Sequence, residues 1–139
     1  MQRLRYISFV VILASLLLLV SCGKSVQTKI IGKWELQYFD DKPHEKIIWE
    51  FNAEGKIKKT IGESKSYVGT YTTKTRFAEG SYIDISGLDK EYGTGMLAND
   101  DGKYFVHKLT SDQLVIERVE AYGRTEGVYK WYEFIRTNQ

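Results

Sequence analysis

A chain of 139 residues has room for one domain, and 20 basic against 18 acidic residues leave it close to neutral. Arg3 and Arg5 are the only charges before Cys22, so the remainder carries 18 basic and 18 acidic residues, a balance that argues against a nucleic-acid partner, which needs a basic face. Cys22 is the only cysteine, which excludes an internal disulfide and a cysteine nucleophile in the folded part after it.

Residues 1–21 read as an export signal. Arg3 and Arg5 give the positive start, and the apolar run Ile7 to Val20 is broken only by Ser8 and Ser15. That run has 14 residues, against the roughly 20 that a membrane-spanning helix needs. It closes on Leu19-Val20-Ser21-Cys22, an aliphatic residue and two small or medium ones before the cysteine. This ending resembles the lipobox of bacterial lipoproteins. The resemblance implies cleavage between Ser21 and Cys22, with Cys22 carrying a thioether-linked diacylglycerol and usually an amide-linked third chain. Several acyl chains at ~0.8 kcal/mol per buried CH₂ anchor stably where one is marginal. Gly23 stands where an aspartate favours inner-membrane retention in Gram-negative lipoproteins, and no acidic cluster follows the cysteine. The resemblance therefore implies a lipid anchor in the outer membrane, facing the periplasm. Residues 22–29 are read as the lipidated N-terminus and a short polar tether.

From Ile30 the hydrophobic pattern has period two, and residues 30–139 are read as one β domain. Eight extended runs are predicted: Lys33 to Phe39, Lys46 to Phe51, Lys56 to Ile61, Ser66 to Thr72, Ser81 to Ser86, Lys103 to Leu109, Gln113 to Val119, and Val128 to Arg136. Gly95 to Ala98 offers a further short strand. Asn52-Ala53-Glu54-Gly55 and Asn99-Asp100-Asp101-Gly102 have the composition of hairpin turns, and Thr110-Ser111-Asp112 that of a tight polar turn. The expected fold is all-β, an antiparallel barrel or sandwich of short strands. Alternation sets the inward face as Trp34, Leu36 and Tyr38, then Ile47, Trp49 and Phe51, Ile57 and Ile61, Tyr67 and Tyr71, Ile83 and Ile85, Leu114 and Ile116, and Tyr132, Phe134 and Arg136.

Gly32-Lys33-Trp34 on the first strand is similar to the G-x-W signature of lipocalins and other calycins. In that superfamily a late arginine packs across the tryptophan, and Arg136 matches it here. Together with the lipobox, the chain resembles the small lipocalin-like lipoproteins of bacterial envelopes. The resemblance implies an up-and-down β-barrel of about eight strands, with Trp34 and Arg136 clasping its first and last strands. A barrel of that size is filled by side chains or holds one small ligand. The candidate ligand wall is Trp49, Tyr71 and Lys59, the lysine sharing the phase of Ile57 and Ile61 and suited to an anionic headgroup.

The chain carries neither catalytic nor metal-binding signatures. His44 and His107 are far apart and lack acidic partners at ligand spacing, and the Asn99 to Gly102 segment lacks the alternating oxygens of a calcium loop. No Gly-x-Ser-x-Gly elbow or phosphate-binding loop occurs. The expectation is a protein without enzymatic activity or cofactor, partnered with a membrane through its anchor. Two functions follow: binding a small hydrophobic or amphipathic ligand, or acting as a filled barrel that meets an envelope protein partner as an interaction module or inhibitor. The second would use outer apolar side chains such as Phe39, Phe105, Trp131 and Ile135, or the connections Thr73 to Gly80, Gly87 to Gly95 and Glu120 to Gly127.

Overall fold

The computed structural model describes residues 26–88 and 99–138. The export signal, Cys22, the Gly95 to Ala98 strand and most of the Gly87 to Gly95 connection lie outside the described residues. Eight strands run Gly32–Leu36 (β1), Ile47–Phe51 (β2), Lys56–Ile61 (β3), Lys65–Arg76 (β4), Gly80–Ser86 (β5), Gly102–Leu109 (β6), Gln113–Glu120 (β7) and Lys130–Thr137 (β8). Each pairs antiparallel with the next, and β8 returns to β1, so the sheet is a closed up-and-down barrel with no free edge.

Period-two alternation places the side chains. On β3, Ile57 and Lys59 are buried while Lys56 and Lys58 face solvent. Trp34, Trp49, Phe51, Ile57, Tyr71, Ile83, Ile85, Tyr104, Leu114, Ile116 and Phe134 form one continuous core inside the barrel. Trp49 lies at its centre, with ring centroids 5.1 Å from Phe134, 5.4 Å from Tyr132 and 6.1 Å from Tyr104.

Because the barrel is a meander, its connections alternate between two ends. One end carries the β2–β3, β4–β5 and β6–β7 turns, and is closed by a helical turn over residues 26–29 that precedes β1. The amide of Ile30 donates to the Val26 carbonyl at 3.0 Å, and the Ile30 side chain is buried in the core. The Trp34 indole N–H donates to the Ile30 carbonyl at 2.7 Å. The Arg136 guanidinium lies 4.2 Å from the centroid of the Trp34 ring. It also donates to the carbonyls of Ile31 at 2.8 Å and Lys29 at 2.6 Å, and to that of Ser111. Gly32 is required beneath it, since its φ is +132° and a Cβ there would collide with Arg136 Nη1. The opposite end, the mouth, carries the β1–β2, β3–β4 and β7–β8 connections and the segment entering β6.

Three expectations are corrected. The first strand stops at Leu36, not Phe39: Gln37 N still donates to Glu133 O at 2.8 Å, but Tyr38 turns outward and stacks on His44 at 3.9 Å. Thr73 to Arg76, expected in a connection, continues β4, because β5 supplies pairing out to Arg76 opposite Gly80. Asn99 to Gly102 is no hairpin turn. Asp100 is drawn inward by buried cations, and Gly102 begins β6.

Candidate functional site

The mouth is sealed from within by a polar cluster. Asp100, immediately before β6, is only 3% exposed. Its carboxylate accepts from the ammonium of Lys59 on β3, from Lys130 Nζ on β8 at 2.7 Å, and from the hydroxyl of Tyr132 at 2.6 Å. Its backbone carbonyl accepts from the Tyr104 hydroxyl at 2.7 Å. Arg118 on β7 is fully buried beside it: Nε donates to Val128 O at 2.6 Å, while Nη1 donates to Asn99 O and, at 3.3 Å, to Asp101 O. Lys130 also donates to Asn99 O at 2.8 Å. The Asp101 carboxylate faces back along the chain and accepts the amides of Gly87 and Leu88, both at 2.9 Å. Residues 99–101 are thus tied to β3, β7, β8 and the end of β5.

Local sequence explains the inward direction of each cation. Arg118 follows Leu114 and Ile116 in phase, Lys130 precedes Tyr132 and Phe134 in phase, and Lys59 sits between Ile57 and Ile61. A buried charge must be paired and hydrogen-bonded to be tolerated. Burial pushes the Asp100 carboxyl upward, but Lys59 and Lys130 outweigh it and hold the group below the usual aspartate range. Burial lowers the Lys130 ammonium against the opposing pull of Asp100. The Tyr132 hydroxyl is driven far upward by burial and by the neighbouring Asp100 charge, so it stays protonated and donates. The site is therefore built to hold one carboxylate.

The sequence-predicted residues are only partly brought together. Lys59 points inward at the mouth and pairs in register with Trp49, yet it meets an aspartate of its own chain. Tyr71 lies toward the closed end, its hydroxyl donating to Asn52 O at 2.6 Å and its ring edge-on to Phe51 at 4.9 Å. Trp49, Lys59 and Tyr71 therefore do not converge on one space. Trp34 and Arg136 do come together, at the closed end. Sequence reasoning missed Asp100, Tyr104, Arg118 and Lys130. The phase of the last two carried the signal, whereas Asp100 sits in a connection without periodicity.

On the outside, an aromatic strip crosses the β5–β8 face. Tyr82 meets Phe105 edge-on at 5.4 Å, Phe105 meets His107 at 4.8 Å, and His107 meets Trp131 at 4.7 Å. Glu117 accepts from His107 at 2.7 Å, and Glu133 accepts from the Trp131 indole at 3.0 Å. Ile135 is exposed on β8, while Phe39 is exposed on the β1–β2 connection, away from the strands. An open groove of about 250 Å³ adjoins the strip, lined by Arg76, Tyr82, Asp84, Lys103 and Glu120 among others.

Among the described residues no group of three His, Cys, Asp or Glu could hold a metal ion, and no helix is long and apolar enough to cross a membrane. Comparison with known proteins finds no family model, curated protein or solved structure that matches the chain.

Proposed function

We propose that this chain is a lipid-anchored envelope protein, held in the outer membrane by Cys22 and facing the periplasm. Its barrel is a solid, non-catalytic scaffold that recognises a protein neighbour through its outer face and mouth connections. One observation carries the reading: Asp100 sits on Lys59, Lys130 and Tyr132, where the headgroup of a bound amphiphile would have to sit. The aromatic core below leaves Trp49 and Tyr71 already in contact with protein groups. The outward-facing strip from Tyr82 to Trp131, half-buried at Tyr82 and Phe105 and exposed at His107 and Trp131, is bordered by charged side chains and provides the mixed aromatic and polar character of a recognition face. The lipocalin-like assignment draws support from Gly32, Trp34 and Arg136, which meet at the closed end as that resemblance implies.

A second reading rests on the same cluster. Two ammonium groups and a phenol arranged around one carboxylate are also a receptor for a fatty acid or similar anion, which could enter by displacing Asp100. Native mass spectrometry of the full-length lipoprotein purified from membranes separates the two. A scaffold shows only the protein and its own acyl chains. A co-purifying small mass, lost in Trp49→Ala, would overturn the scaffold reading in favour of ligand binding.

A further inference from the structure

The end of the barrel that receives the N-terminus carries one feature that its packing does not explain. The β4–β5 hairpin ends in Phe77-Ala78-Glu79 at the closed end, the same end at which the helical turn of residues 26–29 leads into β1. Phe77 is 92% exposed, more than any other large apolar side chain among the described residues. The tip is nevertheless held in shape. Arg76 pairs with Glu79 at 2.9 Å, Glu79 N donates to Arg76 O at 3.2 Å, and the hydroxyls of Thr75 and Ser81 are bonded at 2.9 Å. Ala78 takes a φ of 65°, a left-handed conformation that alanine adopts reluctantly. A phenyl ring is thus presented to solvent on a fixed turn, without contributing to the core.

We infer that Phe77 is a membrane-contacting tip that seats the closed end of the barrel on the lipid surface. This rests on the proposed anchor at Cys22. Four residue steps separate Cys22 from Val26, a span of at most about 14 Å at roughly 3.5 Å per residue. A lipidated Cys22 therefore brings the closed end, not the mouth, against the headgroups. An apolar ring at that end leaves water for the interface. The occupant of this surface is a bilayer, and the orientation turns the mouth and Phe39 toward the periplasm.

The test uses the full-length lipoprotein reconstituted in phosphatidylethanolamine–phosphatidylglycerol vesicles, with a thiol-reactive nitroxide at Ala78→Cys, which leaves Phe77 and the Arg76–Glu79 pair intact. A thioether at Cys22 cannot take the label, so the parent chain should remain unlabelled. Label uptake by the parent would mean that the anchor is missing, and this inference would fall with it. With the anchor intact, the nitroxide at Ala78→Cys should be several-fold more accessible to oxygen than to an aqueous nickel chelate, and adding Phe77→Ala should reverse that ratio. A nitroxide at Phe39→Cys should read as fully aqueous. If the Ala78→Cys and Phe39→Cys positions read alike while the parent stays unlabelled, the seating is refuted and the anchor stands.

Discussion

Replacing Asp100 by asparagine tests the mouth cluster most directly. The substitution keeps the side-chain shape but removes the charge that Lys59, 6% exposed, and Lys130 share. Breaking a buried ion pair from one side costs about 3–5 kcal/mol, because the partner charge stays desolvated and unpaired. Here two neighbouring ammonium groups lose the countercharge they share, Lys130 keeping its bond to the Asn99 carbonyl, so the upper half of that range is expected. In a domain of this size a loss of 1 kcal/mol lowers the melting temperature by about 4 °C, which predicts a fall of about 15–20 °C. Urea denaturation followed by tryptophan fluorescence gives the free energy, and circular dichroism gives the melting temperature. Adding Lys59→Met to Asp100→Asn should recover part of the loss, since an apolar replacement needs no partner. The pH dependence has a definite sign. The folded-state pKa of Asp100 is depressed, so its contribution is complete above the unfolded value of about 4 and fades as pH falls below it. The gap between parent and Asp100→Asn should therefore close in acid below about pH 4. A loss under about 1 kcal/mol, as for an exposed pair, with parallel acid profiles would refute the argument that this carboxylate locks the mouth.

Substitutions at two further positions test the closed end and the sheet. Arg136→Ala removes a stacked cation worth about 0.5–2 kcal/mol together with donors to the carbonyls of Lys29, Ile31 and Ser111. A loss of about 3 kcal/mol is expected in urea denaturation, with only partial recovery in Arg136→Lys, whose point charge cannot reach three carbonyls at once. An unchanged midpoint would remove the clasp. Gly69→Ala places a Cβ 2.6 Å from Ser86 O and 2.8 Å from Leu88 N, both backbone atoms that cannot turn aside. Overpacking of that kind costs about 1–3 kcal/mol, and a neutral result would show that the β4 and β5 backbones do not approach as closely as described.

Period-two alternation alone determined that this chain forms short antiparallel strands and, Tyr38 excepted, which of the assigned side chains face inward. Ile57, Lys59, Ile83, Leu114, Ile116 and Phe134 point where their phase places them. Strand ends were less legible. β1 stops at Leu36 where its pairing with β8, distant in sequence, runs out, and β4 runs on to Arg76 because the adjacent β5 keeps pairing up to the hairpin tip. The alternation of β1 or β4 itself records neither. The pairing of Trp34 with Arg136 was accessible only through the resemblance, which implies a late arginine across the tryptophan of the Gly32-Lys33-Trp34 motif, at the two edges that closure joins. The partner of Lys59 was not. Asp100 lies 41 residues away, in a connection whose Asn, Asp and Gly composition suits an exposed turn. Only closure of the barrel, which brings β3, β7 and β8 around one mouth, creates a buried excess of positive charge strong enough to draw that aspartate inward.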